Sequence, residues 1–252
     1  MFPLSHIYVS TKVAKRSNPY LILGSILPDA AWVAREKAIN KFGETFRSEV
    51  HNSPDKLKSF IDQNFKELAD FALGVNLHSS VNKGADIYSD DWSIGFAIKE
   101  GREYIERVAT ILKVADTKKA FVYAHNFIEA ATDLCLAEKL PEVLKVYKNS
   151  LQGQYSSNVI TCLANYLNQS EEVVGKVVSK FLTRFSPESF ESPNTLVRNA
   201  ISPSTTIILG YETDEKAIQA LLETCVIKMR GKYLYYLNTA IAQMQISFAN
   251  AI

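Results

Sequence analysis

Apolar residues recur at steps of three and four along most of this chain. Leu57, Phe60, Ile61, Phe65, Leu68, Phe71, Ala72 and Val75 trace one stripe, the mark of a helix with one buried face. Ser53-Pro54-Asp55 precedes the stripe as a start signal, with Ser53 placed to cap and Pro54 at the first helical position. The same period predicts helices over residues 93–114 and 118–140, the second stopping before Pro141. Shorter helices are expected over 141–150, 157–168 and 170–185. Thr213-Asp214-Glu215 caps a long final helix reaching about Ala249, bent at Gly231. Strand-like alternation is scarce, and 205–209 is its best candidate. Residues 186–204 hold Pro187, Pro193 and Pro203 among Ser and Asn, so they read as a loop. There is no internal repeat and no low-complexity tract. The pattern predicts an all-α multi-helix bundle.

At 252 residues the chain can bury a full core, and the expectation is a single all-α domain over 1–252. Its 47% hydrophobic and 22% charged residues are those of an ordinary globular protein. A formal net charge of +1 supplies no global basic field, so nucleic acid is not an indicated partner. Cys135, Cys162 and Cys225 are odd in number and far apart, which speaks against a disulfide framework and for a reducing compartment. The segment from Met1 to His6 has no basic, then apolar, leader pattern, and no stretch approaches the ~20 apolar residues of a membrane span. A cytoplasmic location is expected.

The chemistry rests on four histidines, His6, His51, His78 and His125. His125 and Glu129, four residues apart, share a helical face that Asp133 continues. Their neighbours Phe121, Val122, Ala124, Phe127, Ile128, Ala130 and Ala131 leave little room for a solvated face there. Asp29 ends the apolar run 21–28, where a buried carboxylate needs a partner; it is equally placed to cap a helix starting at Ala30. His51 just precedes the start at Pro54, and His78 is followed at one-turn intervals by Asn82 and Asp86. Asn82-Lys83-Gly84 also reads as a plain helix end with Gly84 left-handed. Asp90-Asp91 reads as the cap of the helix from Ser93. Trp32, Tyr88 and Trp92 either line a cleft or pack in the core, and Lys12, Lys15 and Arg16 read as a solvated face. Imidazoles with carboxylates suit zinc, with manganese or iron as other first-row candidates.

In order and spacing these residues resemble the zinc-dependent phospholipases C, whose all-α fold is shared with the single-strand-specific zinc nucleases. The matching positions are His6, Gly24 through Pro28-Asp29, His51, the helix from His78 through Asn82, and His125-x-x-x-Glu129. The resemblance covers about the first 135 residues and leaves 136–252 as an unassigned helical part. It implies a metal-dependent hydrolase of phosphate esters, acting on a small-molecule or lipid substrate of the phosphodiester or phospholipid head-group type, with a metal-bound water as nucleophile. The implied ligands are His6, Asp29, His51, His78, Asp86, His125 and Glu129, with Asp29 or Asp86 as the base. Three departures stand out: Asn82 occupies the place of the family's bridging Asp, the family's next His is missing, and the processed N-terminal Trp that secreted members use as a ligand has no match, since five residues precede His6. The alternative is a helical scaffold or binding protein that keeps the fold without turnover. The chain contains no His-Asp dipeptide and no Gly-x-x-x-x-Gly-Lys, which disfavours His-Asp phosphohydrolases and P-loop enzymes.

Overall fold

The computed structural model describes residues 2–35 and 40–249, and every regular element among them is helical. In order these are α1 (Pro3–Ala14), α2 (Pro19–Ile26), α3 (Asn40–Phe46), α4 (Pro54–Asn64), α5 (Ala69–His78), α6 (Ala85–Asp90), α7 (Phe96–Gly101), α8 (Ile105–Leu112) and α9 (Thr117–Lys139). Then come α10 (Pro141–Ser150), α11 (Tyr155–Leu167), α12 (Glu171–Arg184), α13 (Pro193–Leu196), α14 (Ser202–Leu209), α15 (Glu215–Met229) and α16 (Tyr233–Ser247). One connected cluster of buried apolar side chains runs from Leu4 to Phe248, so the early and late parts of the chain share a core. Among the described residues no helix is long and apolar enough to cross a membrane.

Several boundaries differ from the sequence pattern, each for a local reason. The stripe 57–75 is two helices: Phe65, at φ −143° and ψ 56°, ends α4, and a 3₁₀ turn over Lys66–Leu68 leads into α5. Leu57 and Ile61 remain buried before the break, and Leu68, Phe71 and Val75 after it, so the apolar phase survives a break it cannot reveal. Ser53 does not cap α4; its hydroxyl donates to the Ser48 carbonyl at 2.8 Å. The span 93–114 likewise splits into α7 and α8, and the final helix into α15 and α16.

Residues 186–204, expected as a loop, are mostly helical. Pro187, Pro193 and Pro203 each sit in the first turn of a short helix, where a missing N–H costs nothing. Residues 205–209, the best strand candidate, belong to α14, where the Thr205 hydroxyl bonds back to the Ile201 carbonyl at 2.7 Å.

Two contacts set the frame for the site. Gly24 of α2 and Gly74 of α5 meet so closely that a Cβ on Gly24 would stand 2.1 Å from the Phe71 carbonyl oxygen, and one on Gly74 2.4 Å from that of Leu21. The two helices can approach this near only without side chains there. The long α9 packs against α1, α7, α8 and α15. From it, Asp133 reaches the start of α1 and accepts the backbone N–H groups of Leu4 at 2.7 Å and Ser5 at 2.8 Å. These are donors of the first helical turn that lack partners within the helix. Asp133, expected to continue the His125–Glu129 face, therefore anchors the helix that carries His6.

Candidate metal centre

Six separate elements deliver the site. His6 comes from α1, Asp29 from the 3₁₀ segment Leu27–Arg35, and His51 from the end of the π-turn Arg47–His51. His78 closes α5, α6 supplies Asp86 and Asp90, and α9 supplies His125 and Glu129. Asp29 lies inside its 3₁₀ segment, so it is not the cap of a helix beginning at Ala30.

Asp86 is the hub. Its Oδ1 lies 3.3 Å from His6 Nε2, and its Oδ2 lies 3.2 Å from both His51 Nε2 and His78 Nε2. Asp29 faces the same imidazoles at longer range, 3.8 Å from His6, 3.7 Å from His78 and 4.0 Å from His51. His6 and His78 stack with ring centroids 4.0 Å apart, and His51 meets His78 edge-on. A second set, Asp90, His125 and Glu129, offers ligand atoms all within 4.8 Å of one another. The two sets adjoin through α6, since Asp86 and Asp90 are one turn apart.

The imidazoles are oriented as metal ligands are. His78 Nδ1 lies 2.8 Å from the Ser25 carbonyl, which can only accept, so Nδ1 carries the proton and Nε2 keeps its lone pair for the cluster. His51 Nδ1 is held by the Asn52 side-chain oxygen at 2.9 Å in the same sense. Among the described residues, both nitrogens of His6, Nε2 of His78 and Nδ1 of His125 are buried without a hydrogen-bond partner. Leaving so many polar atoms unsatisfied in one place is costly unless something outside the polypeptide satisfies them. The donor set fits a divalent first-row cation.

Electrostatics point the same way. Burial, with His78 alongside, lowers the His6 pKa to about 3, which keeps it a neutral lone-pair donor. Burial likewise lowers His125. Burial alone would raise Asp86, but His78, His51 and His6 outweigh it and hold the carboxylate well below its usual range. For His51 burial works downward, yet Asp86 and Asp29 raise it to about 9. Burial raises Asp29 and, with Asp90 beside it, Glu129.

A cleft opens beside the second set. Asp29, Asp90, His125 and Glu129 line it together with the apolar side chains of Phe2, Trp32, Phe181, Phe185, Ile201 and Ile208. The region 136–252, unassigned from sequence, thus builds much of the apolar wall. Tyr123 also lines the cleft, with its hydroxyl buried and lacking a hydrogen-bond partner among the described residues. Trp32 serves the cleft, whereas Trp92 is exposed and stacked on Phe121 with centroids 4.7 Å apart, and Tyr88 packs against the core.

The structure also corrects the reading of three acidic or amide positions. The helix expected from Ser93 begins at Phe96 with Gly95 as its N-cap. Asp91 therefore caps a turn and not a helix, accepting from the backbone of Ser93 at 2.8 Å and Ile94 at 3.1 Å, while its neighbour Asp90 joins the candidate ligand set. Sequence reading passed over Asp90, although its four-residue spacing from Asp86 was a usable signal. Asn82 donates to Asn76 and Asp55. At that helix end Lys83, not Gly84, takes the left-handed conformation (φ 59°). Gly84 is required there for closeness, as a Cβ would stand 2.5 Å from the Leu77 carbonyl oxygen.

No protein-family model, curated protein or solved structure matches this chain.

Proposed function

We propose that this protein is a metal-dependent hydrolase of phosphate esters, similar in ligand order to the zinc-dependent phospholipases C. The observation that carries the reading is the convergence of three imidazoles on Asp86 and Asp29 beside a cleft with an apolar wall, with Nδ1 of His6 buried and lacking a hydrogen-bond partner among the described residues. His6, His51, His78, Asp29 and Asp86 would hold metal at the first set, and Asp90, His125 and Glu129 at the second. Zinc in such a position supplies Lewis acidity toward a phosphoryl oxygen and makes water acidic enough to attack near neutral pH.

The protein's own groups divide the remaining work. Asp86, ringed by three imidazoles and held ionised, acts as a ligand and not as a base. Asp29 lies farther from the imidazoles than Asp86 and is partly exposed to the cleft, with its carboxyl raised by burial, so the oxygen it does not give to metal is the one suited to take up and return a proton. Tyr123 offers its hydroxyl to an ester or phosphoryl oxygen. Phe181, Phe185, Ile201 and Ile208 exclude water and receive the apolar portion of a phosphodiester or phospholipid substrate.

The test is metal content by mass spectrometry on protein purified without chelator or polyhistidine tag, followed by assay on chromogenic phosphodiesters and phospholipid head-group analogues. Zinc, manganese or iron that falls in His78→Ala and His125→Ala together with hydrolysis is the expected result. Protein that stays metal-free after reconstitution, or variants that hydrolyse as fast as the parent, would overturn the reading.

A further inference from the structure

The two ligand sets differ in chemistry. The first gathers three imidazoles around Asp86 and Asp29, whereas the second has one imidazole, His125, between two carboxylates, Asp90 and Glu129. Imidazole nitrogen favours zinc strongly over manganese, while carboxylate oxygen discriminates far less and suits harder ions. Every divalent site of this kind prefers zinc in absolute terms, so what changes between the sets is the size of that preference. Exchanging imidazoles for carboxylates compresses it until the supply of metal decides the occupant.

The surroundings maintain the difference. The first set is the more enclosed: His6 and His78 are fully buried, the Ser25 carbonyl and Asn52 side-chain amide fix the rings of His78 and His51, and of its members Asp29 reaches the cleft. The second opens onto the cleft through Asp90, His125 and Glu129, all of which line it. Asp90 in turn accepts a hydrogen bond from the Ser89 hydroxyl, which orients its carboxylate. An open, oxygen-rich position leaves room for the additional oxygen ligands that a hard cation takes from solvent or substrate.

We propose that the centre is heterometallic, with zinc in the histidine-rich set of His6, His51, His78, Asp29 and Asp86, and manganese(II) in the carboxylate-rich set of Asp90, His125 and Glu129. The inference rests on both sets being metal positions, as in the proposed function, and adds which ion each selects. Asp90 is the determinant, since it alone separates the second set from a two-imidazole site.

The experiment uses the full chain, stripped of metal and dialysed against sub-saturating zinc with manganese in excess. Content is read by mass spectrometry and the manganese by electron paramagnetic resonance. The expected result is that both metals stay on the parent protein and that manganese survives in His78→Ala while zinc falls. Asp90→His is expected to lower bound manganese roughly tenfold and replace it with zinc. Asp90→Asn, which keeps the size of the side chain, lowers manganese without the gain in zinc, and circular dichroism establishes that each variant is folded. Zinc alone on the parent under these conditions, or unchanged manganese in folded Asp90→His, overturns the proposal while leaving the hydrolase reading in place. Protein that takes up neither metal overturns both.

Discussion

Asp86 and Asp90 stand one turn apart on α6, and each faces a different set of ligands: Asp86 meets His6, His51 and His78, and Asp90 meets His125 and Glu129. A single short helix thereby couples two sites whose other members come from helices far apart in sequence. Asp86→Asn keeps the shape but removes the charge that the three imidazoles share. It is expected to abolish metal at the first set and to lower hydrolysis by at least about 100-fold, beyond the usual effect of disturbing groups that merely orient ligands. Mass spectrometry and steady-state assay on the folded variant check this, and retention of full metal content would refute it.

Tyr123→Phe removes one hydroxyl that has no partner within the described protein, so stability is expected to hold or rise slightly. Hydrolysis is expected to fall roughly tenfold, the worth of one hydrogen bond to the reacting ester, with metal content unchanged. Equal activity in the two proteins would remove Tyr123 from substrate contact.

His51 makes metal uptake a proton-releasing event. Its folded pKa of about 9 exceeds the ordinary 6.5 because Asp86 and Asp29 outweigh the effect of burial. The ion pair thus contributes stability to the metal-free protein in full below pH 6.5, and that contribution is lost as pH rises through about 9. Near neutral pH a cation must displace this proton, so loading should release about one proton from His51 per chain. Calorimetry in buffers of different ionisation enthalpy reads the release; heats independent of buffer would contradict it.

Asp133 joins α9 to the first turn of α1 through the N–H groups of Leu4 and Ser5. Asp133→Ala leaves both buried donors unsatisfied and is expected to cost about 3 kcal/mol. Because α1 carries His6, zinc affinity should fall as well, although Asp133 belongs to neither ligand set. Asp133→Asn, which retains an acceptor, should recover part of both losses in chemical denaturation and metal titration.

Glu100 is buried on α7 and accepts from Tyr236 at 2.5 Å, Lys232 at 2.9 Å and Lys228 at 3.1 Å, tying α7 to the last two helices. Burial alone would raise its carboxyl, but these three donors outweigh it and lower the pKa to about 2 from 4.5. A depressed carboxyl contributes stability above pH 4.5 and loses it as pH falls through that window toward 2. Glu100→Gln should lower stability at neutral pH by about 2–3 kcal/mol. It should also flatten the acid limb of the stability profile, and an unchanged acid limb would count against this assignment.

Much of the architecture was legible from periodicity, and the failures have definite causes. The helix 117–139 was readable to within a residue because its apolar period runs up to Pro141, and in the structure Asp116 caps its start. The break at Phe65 was not, since buried positions on either side keep the same phase. Prolines 187, 193 and 203 looked like interruptions because composition does not distinguish a proline that starts a helix from one that stops it.

For the site, residue chemistry determined the candidates: four imidazoles and a few carboxylates in apolar surroundings are a short list in any fold. Sequence alone placed His125 and Glu129 on one helical face, because their apolar neighbours recur with a helical period. Which carboxylates join which imidazoles was decided by tertiary structure. Asp133 shares a helix face with Glu129 yet turns to the start of α1, Asn82 follows His78 by one turn yet points to Asp55, and Asp90 groups with His125 while the adjacent Asp91 holds a turn. Spacing along one helix specifies a direction, but the partner in that direction comes from another helix, and close packing at contacts such as Gly24 against Gly74 selects it.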